Sequence, residues 1–176
     1  TSRHKALSME PLSALAQALP QAAVVGIGAT AVMDLWLLAL KRFGIPTMDF
    51  ALLGRWVGHV LRGQVAHDAI RSARPIAGEL GLGWAAHYAV GIVFAGLLVA
   101  LQGVSWLHQP VALPELAWGL ATAVAPLFVL QPAMGAGIAS SRTPALLKNS
   151  LRSLANHAVF GLGLYLSAAA LSRLAA

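Results

Sequence analysis

The chain has no cysteine, and only 10% of its 176 residues are charged. Without cysteine there can be no disulfide bond, no thiolate metal site and no cysteine nucleophile. An average soluble chain is about 25% charged, so this chain has too few charges to cover the surface of a soluble globule. Disordered chains are rich in polar and charged residues, and the same shortage excludes that class.

Apolar residues are abundant instead, at 58% of the chain. A transmembrane helix takes about 20 mostly apolar residues, and four runs are long enough. No run alternates apolar and polar residues with the period of a strand, so we expect an all-α, polytopic membrane protein. We expect one domain, 22–176, after an N-terminal tail, 1–21. Met9 is a candidate natural start, and residues 1–8 would then be non-native. The predicted spans are 22–40, 82–101, 116–138 and 154–171.

Positive charge is distributed unevenly along the chain. Of its 12 lysines and arginines, six lie between the first and second spans and three between the third and fourth. By the positive-inside rule, these two loops face the cytoplasm and both termini face the periplasm. The net charge of +6 then follows from topology. The expected partner is the lipid bilayer, and no nucleic-acid partner is expected.

The loop segment 44–81 is predicted to form an amphipathic helical pair on the cytoplasmic surface. Its first helix begins near Pro46, and its second runs over Gln64–Arg74 and ends at Pro75. The pair is either a plain interfacial anchor or a basic lid that binds anionic lipid headgroups or a phosphorylated ligand. The residues that would face the headgroups are Arg55, His59, Arg62, His67, Arg71 and Arg74.

Polar side chains interrupt every predicted span, and small residues recur every fourth position beside them, as in Gly83, His87 and Gly91. Such small-residue stripes bring membrane helices close together. With a rise of about 1.5 Å per residue, one polar group from each span lies about 7–10 Å inside the basic end of the bundle. These groups are Asp34, His87, Gln131 and His157. With the stripe residues Glu79 and Tyr165, they form the candidate ligand-binding set.

The polar groups have two interpretations. They form a hydrogen-bond network that only sets helix packing, or they form a binding site. His87 and His157 on facing helices are suited to be the axial ligands of a haem. With Asp34 they are equally suited to bind a divalent metal as a two-histidine, one-carboxylate site. Pro126 and Pro132 predict a kinked or broken third span, and broken helices often line transporter sites.

Several short motifs, in their order along the chain, carry a family resemblance. The chain resembles a domain-of-unknown-function family of small bacterial integral membrane proteins. The resemblance implies a bacterial inner-membrane protein with four spans, and it implies no activity. The matching motifs are Gly26-Ile27-Gly28-Ala29-Thr30 with Met33-Asp34, Gly54-Arg55 with Gly58-His59, Gly78-Glu79 with Trp84 and His87-Tyr88, Gln131-Pro132, Ser141-Arg142-Thr143-Pro144, and His157 with Phe160-Gly161 and Tyr165.

Three functions fit these observations. The first is a membrane protein that binds a metal, a haem or another small ligand at the polar groups. The second is a small proton-coupled transporter or channel, which would act as a homo-oligomer because four helices enclose only a thin pathway. The third is a structural or accessory subunit of a larger membrane complex. No enzyme motif is complete, so an enzyme is not expected and no catalytic residue is assigned.

Overall fold

The computed structural model describes residues 2–174, with side chains from Ala18 onward, and these residues form helices and no strand. A π-helix, Ala125–Leu130, follows the fourth α-helix. The α-helices are α1 (Ser2–Arg42), α2 (Phe50–Val60), α3 (Glu79–Gln102), α4 (Ala112–Thr122), α5 (Gln131–Ala133) and α6 (Leu146–Leu174).

Four helical stretches are long and apolar enough to cross a membrane. Large apolar side chains on their outer faces are exposed, among them Leu35 at 68% and Leu101 at 69%. In lipid such faces contact acyl chains and need no protein cover. The all-α, multi-pass membrane fold is therefore confirmed. The stretches are Ala18–Arg42, Glu79–Gln102, Ala112–Ala133 and Leu146–Leu174.

Glycines set the distances between the spans. α1 packs on α3 and α6, and α6 also packs on α4. A Cβ on Gly26 would lie 2.7 Å from the Cα of Ile92, and a Cβ on Gly119 would lie 2.5 Å from the Cα of Gly161. Only a residue without a Cβ permits backbones this close. The stripes seen in the sequence therefore do bring the polar faces of the spans together.

The third span differs from its predicted bounds of 116–138. It begins at Ala112 and ends at Ala133. Pro126 and Pro132 have no backbone N–H, which removes two helical hydrogen bonds and accounts for the interrupted helix. The glycines that follow α5 leave the helix with positive φ angles, +95° at Gly135 and +76° at Gly137.

Helix α2 begins at Phe50, and not near Pro46 as predicted. The Asp49 side chain caps it by accepting the N–H of Ala51 at 3.0 Å. α2 runs antiparallel to the first half of α3, so closely that a Cβ on Gly54 would lie 1.7 Å from the Glu79 carbonyl oxygen. The Phe50 ring stacks on Trp84 with centroids 4.1 Å apart. α2 thus becomes part of the helix bundle.

The predicted second amphipathic helix, Gln64–Arg74, is wrong. This segment contains one 3-10 turn, Ile70–Ser72, between stretches without helical structure. Its backbone bonds elsewhere: the N–H of His67 donates to the Ala133 carbonyl at 2.9 Å, and the N–H of Ile70 donates to Met134 at 3.0 Å. These donors are therefore not available for helical hydrogen bonds, and the segment packs against the end of the third span.

Candidate functional site

A cavity of about 310 Å³ lies between α1, α2, α3, the π-helix and α6. Its polar lining residues are Thr30, His87 and His157. The Thr30 hydroxyl donates to the Gly26 carbonyl at 2.8 Å, which leaves the two histidines as the polar groups available to a ligand. The apolar lining residues include Met33, Met48, Leu53, Trp56, Val57, Phe94, Pro126, Val129 and Phe160.

The first histidine is held by an aspartate on the facing helix. The Asp34 carboxylate has one oxygen 2.9 Å from His87 Nε2, and its other oxygen accepts the Tyr88 hydroxyl at 2.8 Å. An ionised carboxylate can only accept hydrogen bonds, so His87 Nε2 carries a hydrogen and donates it. In a neutral imidazole the other nitrogen, Nδ1, is then an acceptor. His87 therefore brings an acceptor nitrogen to the cavity wall.

The second histidine is held by a threonine on α4. The Thr122 hydroxyl donates its one hydrogen to the Gly119 carbonyl at 2.6 Å, and its oxygen lies 2.8 Å from His157 Nδ1. Because the hydroxyl hydrogen is already used, the His157 Nδ1–H must be the donor of this second bond. His157 Nε2 is then also an acceptor. Both histidines thus have one nitrogen fixed by the protein and one left for a ligand.

The predicted metal triad is not assembled. Among the side chains from Ala18 to Leu174, no group of three histidine, cysteine, aspartate or glutamate residues could hold a metal ion. Asp34 binds His87, whereas His157 binds Thr122, so the carboxylate does not join both imidazoles. The physical reason is helix rotation: equal depth in the membrane does not make three side chains point at one another.

Three other members of the candidate set lie away from this cavity. Gln131 donates to the Ser153 hydroxyl at 3.3 Å and accepts the Ser140 hydroxyl at 3.0 Å, which ties the broken end of the third span to α6. Tyr165 is half-buried about two turns beyond His157 and is not among the described residues of the cavity wall. Glu79 binds an arginine of α2.

That arginine, Arg55, has its guanidinium hydrogen-bonded within the protein. Its Nε and Nη2 donate to the two Glu79 carboxylate oxygens, both at 2.9 Å. Its Nη1 donates to the Arg71 and Ala73 carbonyls, each at 3.2 Å. The hydrogen bonds with Glu79 also raise the pKa of Arg55, and its guanidinium stays protonated at all ordinary pH values. With its guanidinium engaged, Arg55 fastens the loop to α2 and α3.

His59 and His67 are also engaged within the protein. His59 is only 8% exposed, and its Nε2 donates to the Arg74 carbonyl at 2.9 Å. Its Nδ1 lies 2.9 Å from His67 Nε2 and 3.1 Å from the Gln64 amide oxygen. His59 was expected to face the lipid headgroups, but the loop folds back over it. For Arg62, Arg71 and Arg74, which are exposed, headgroup binding stays a prediction.

Sequence reasoning missed three residues. Tyr88 and Thr122 orient Asp34 and His157, yet a tyrosine or threonine in a membrane helix carries no signal of its own. Glu115 is fully buried and accepts the N–H groups of Trp106 and Val111. It lies one residue before the predicted start of the third span at 116, whereas the structure places it inside α4. By these two hydrogen bonds Glu115 joins the turn between α3 and α4 to the first turn of α4.

Comparison with known proteins gives a family and nothing further. The chain has no significant match among curated proteins or among solved structures. A family model described as a protein of unknown function, DUF2938, matches residues 23–171. The match covers the second and third spans, α2, the cavity and most of the first and fourth spans, so the chain belongs to the DUF2938 family.

Proposed function

We propose that this membrane protein binds a small, largely apolar molecule in the cavity between His87 and His157, and that the molecule carries hydroxyl or amine donors. One observation carries the proposal: two histidines on the wall of one apolar cavity each have an acceptor nitrogen that the protein leaves free. Two acceptors in apolar surroundings select a ligand that can donate.

The size and lining of the cavity support this ligand class. Ligand pockets have volumes of about 300–1,000 Å³, with mostly apolar walls and a few polar groups that fix orientation. This cavity is at the small end of that range, which suits one aromatic ring or a fused pair. Burial of apolar ligand surface, at about 25 cal/mol per Å², supplies the affinity, and the histidines supply the orientation. Phenols, hydroquinones and aromatic amines have this chemistry.

A binding experiment with naphthol as the probe tests the proposal. Its methyl ether has nearly the same shape but no donor, so it should bind the purified protein more weakly by about two- to tenfold for each lost hydrogen bond. His157→Gln should weaken naphthol binding by a similar factor. Equal affinity for naphthol and its ether would contradict the assignment of acceptor nitrogens to the cavity.

A pair of alanine substitutions on α3 tests the location. Ala86 lines the cavity, and its neighbour Ala85 is exposed on the outer face. Ala86→Phe should fill the cavity and abolish naphthol binding, whereas Ala85→Phe should leave it unchanged. The same loss in both variants would place the ligand elsewhere. An absorbance spectrum and a metal analysis of the purified wild-type protein test the haem and divalent-metal hypotheses in parallel.

A second candidate function is proton-coupled transport, and the interrupted third span favours it. Residues of the π-helix, including Pro126 and Val129, form one wall of the cavity. π-Helical turns are frequent at functional sites, and broken helices line many transporter sites. In vesicles containing a pH-sensitive dye, the wild-type protein should dissipate a pH gradient faster than His157→Gln. Equal rates would exclude His157 from proton movement.

The accessory-subunit hypothesis has a separate test, because subunits that co-purify with the protein would favour it.

We further infer that the protein lies in a bacterial inner membrane with both termini in the periplasm. The support is the distribution of charge: nine of the 12 basic residues lie in the two loops between the first and second and between the third and fourth spans. In the structure these loops meet at one end of the bundle, where the N–H of Ile70 donates to the Met134 carbonyl. Basic loops at one end are typical of the cytoplasmic side.

A further inference from the structure

A second cavity, of about 370 Å³, lies between the end of α1 and the start of α6. It is separate from the histidine cavity and has a different polar lining. Lys148, Arg152 and Asn156 follow one another at four-residue steps, so they share one face of α6. This groove is at the end of the bundle that carries the basic loops, beside the last turns of α1.

The polar groups of this groove are hydrogen-bond donors. Within residues 18–174, Arg55 forms an ion pair with Glu79 and the Asp34 carboxylate binds His87, so Lys148 and Arg152 have no carboxylate partner there. The Asn156 side-chain oxygen accepts the indole N–H of Trp36 at 3.0 Å, which leaves the amide NH₂ group as a donor. Two cations and an amide donor together favour an anion.

The rest of the groove is apolar. Trp36, Leu40 and Ile45 form its wall on the side of α1. Asn156 lies about 12 Å deeper in the bundle than Lys148, at a rise of about 1.5 Å per residue. The groove thus runs from a cationic opening at the membrane surface to an apolar floor. A free phosphate would use only the opening, whereas a phospholipid would use both parts.

We propose that this groove binds an anionic membrane phospholipid. Lys148 and Arg152 donate to the phosphate oxygens at the opening, and an acyl chain lies along the apolar wall toward Asn156. Basic pockets between membrane helices near the cytoplasmic surface are suited to such headgroups. The site differs from the loop arginines considered from the sequence, because here cations and an apolar groove occur together.

Native mass spectrometry of the full chain, with phosphatidylglycerol as the probe, tests the proposal. The double variant Lys148→Gln, Arg152→Gln should lower the affinity for this lipid about tenfold or more, since each basic residue contributes near the membrane surface. The matched control is Arg142→Gln, Arg173→Gln, which removes the same charge from exposed positions outside the groove. The control should bind the lipid as the wild type does.

Four results would overturn the proposal. They are lipid retained by the double variant, an equal loss in the control pair, phosphatidylcholine bound as tightly as phosphatidylglycerol, and inorganic phosphate alone bound as tightly as the lipid. The last result would show a free-anion site. If the double variant does not fold, Lys148→Gln decides the matter, because Lys148 is exposed. This variant should lose about fivefold in affinity, and an unchanged affinity would also overturn the proposal.

Discussion

The Asp34 carboxylate accepts hydrogen bonds from both His87 and Tyr88, and this double role determines which His87 nitrogen is free for the cavity. A carboxylate in lipid costs at least about 2.5–3.5 kcal/mol unless it is paired, so the two donors also explain how Asp34 is tolerated there. An amide at this position has only one oxygen for the two donors.

Asp34→Asn should therefore change the tautomer of His87. The asparagine oxygen keeps the Tyr88 bond, its NH₂ group donates to His87 Nε2, and the hydrogen of the imidazole moves to Nδ1. We expect nitrogen NMR of labelled histidine to show this change, with the free energy of unfolding lowered by about 1 kcal/mol. Tyr88→Phe is the control, because it leaves the Asp34–His87 bond in place. An unchanged tautomer in Asp34→Asn would contradict the assigned hydrogen bonds.

At the level of helices, the contact between α2 and α3 depends on Gly54 and Gly83, because neither residue has a Cβ. A Cβ on Gly83 would lie 1.8 Å from the Phe50 carbonyl oxygen, whereas a Cβ on Gly81 would meet nothing within 4 Å. α2 supplies Leu53, Trp56 and Val57 to the cavity wall, so this contact also shapes the site.

Gly83→Ala should therefore separate α2 from α3 and lower the free energy of unfolding by about 1–3 kcal/mol. Gly81→Ala, two residues away on the same helix, should be neutral or stabilising by up to about 1 kcal/mol, because alanine favours helix over glycine. Thermal unfolding in detergent measures both variants. Equal melting temperatures for the two variants would show that α2 does not pack through these glycines.

The loop after α2 depends on Arg55, which joins the Glu79 carboxylate to the carbonyls of the 3-10 turn. Lysine keeps the charge but lacks the planar fork, so it cannot make these bonds together. Arg55→Lys should speed hydrogen exchange at the His67 and Ile70 amides several-fold. Arg62→Lys, at an exposed position, is the matched control and should leave exchange unchanged. Slow exchange in both variants would show that the loop is held by other contacts.

For the whole molecule, the structure places the two ends of α3 at opposite ends of the bundle. Ser72 precedes α3 and Ser105 follows it, and both are exposed. The chain has no cysteine, so Ser72→Cys and Ser105→Cys each introduce a single thiol.

In inner-membrane vesicles of known orientation, an impermeant thiol reagent should label the two variants from opposite sides. The Ser72→Cys thiol should react from the cytoplasmic side, as the positive-inside rule requires. Both thiols should react after the membrane is opened with detergent, which serves as the control. Labelling of both variants from the same side would contradict the four-span topology.

The sequence by itself determined the class of protein, the four spans and the contact faces of the helices. Shortage of charge and the length of the apolar runs are local properties, and in lipid they leave a helix as the way to satisfy the backbone. Small-residue stripes are equally local, because a helix repeats every 3.6 residues. In the structure the face of Gly26, Thr30 and Asp34 does lie against that of His87 and Gly91.

Only the tertiary structure decided which polar groups meet. Successive residues of a helix point about 100° apart, so a small rotation of one span replaces one partner with another. Depth along the membrane put Asp34, His87, Gln131 and His157 at one level, yet Asp34 pairs with His87 and Tyr88, and Gln131 joins Ser140 and Ser153.

The fold of the loop after α2 was also decided by tertiary contacts. Residues 64–74 had a helical pattern, but the backbone groups exposed at the broken third span bind that segment, because unpaired backbone donors and acceptors in a buried position must find partners.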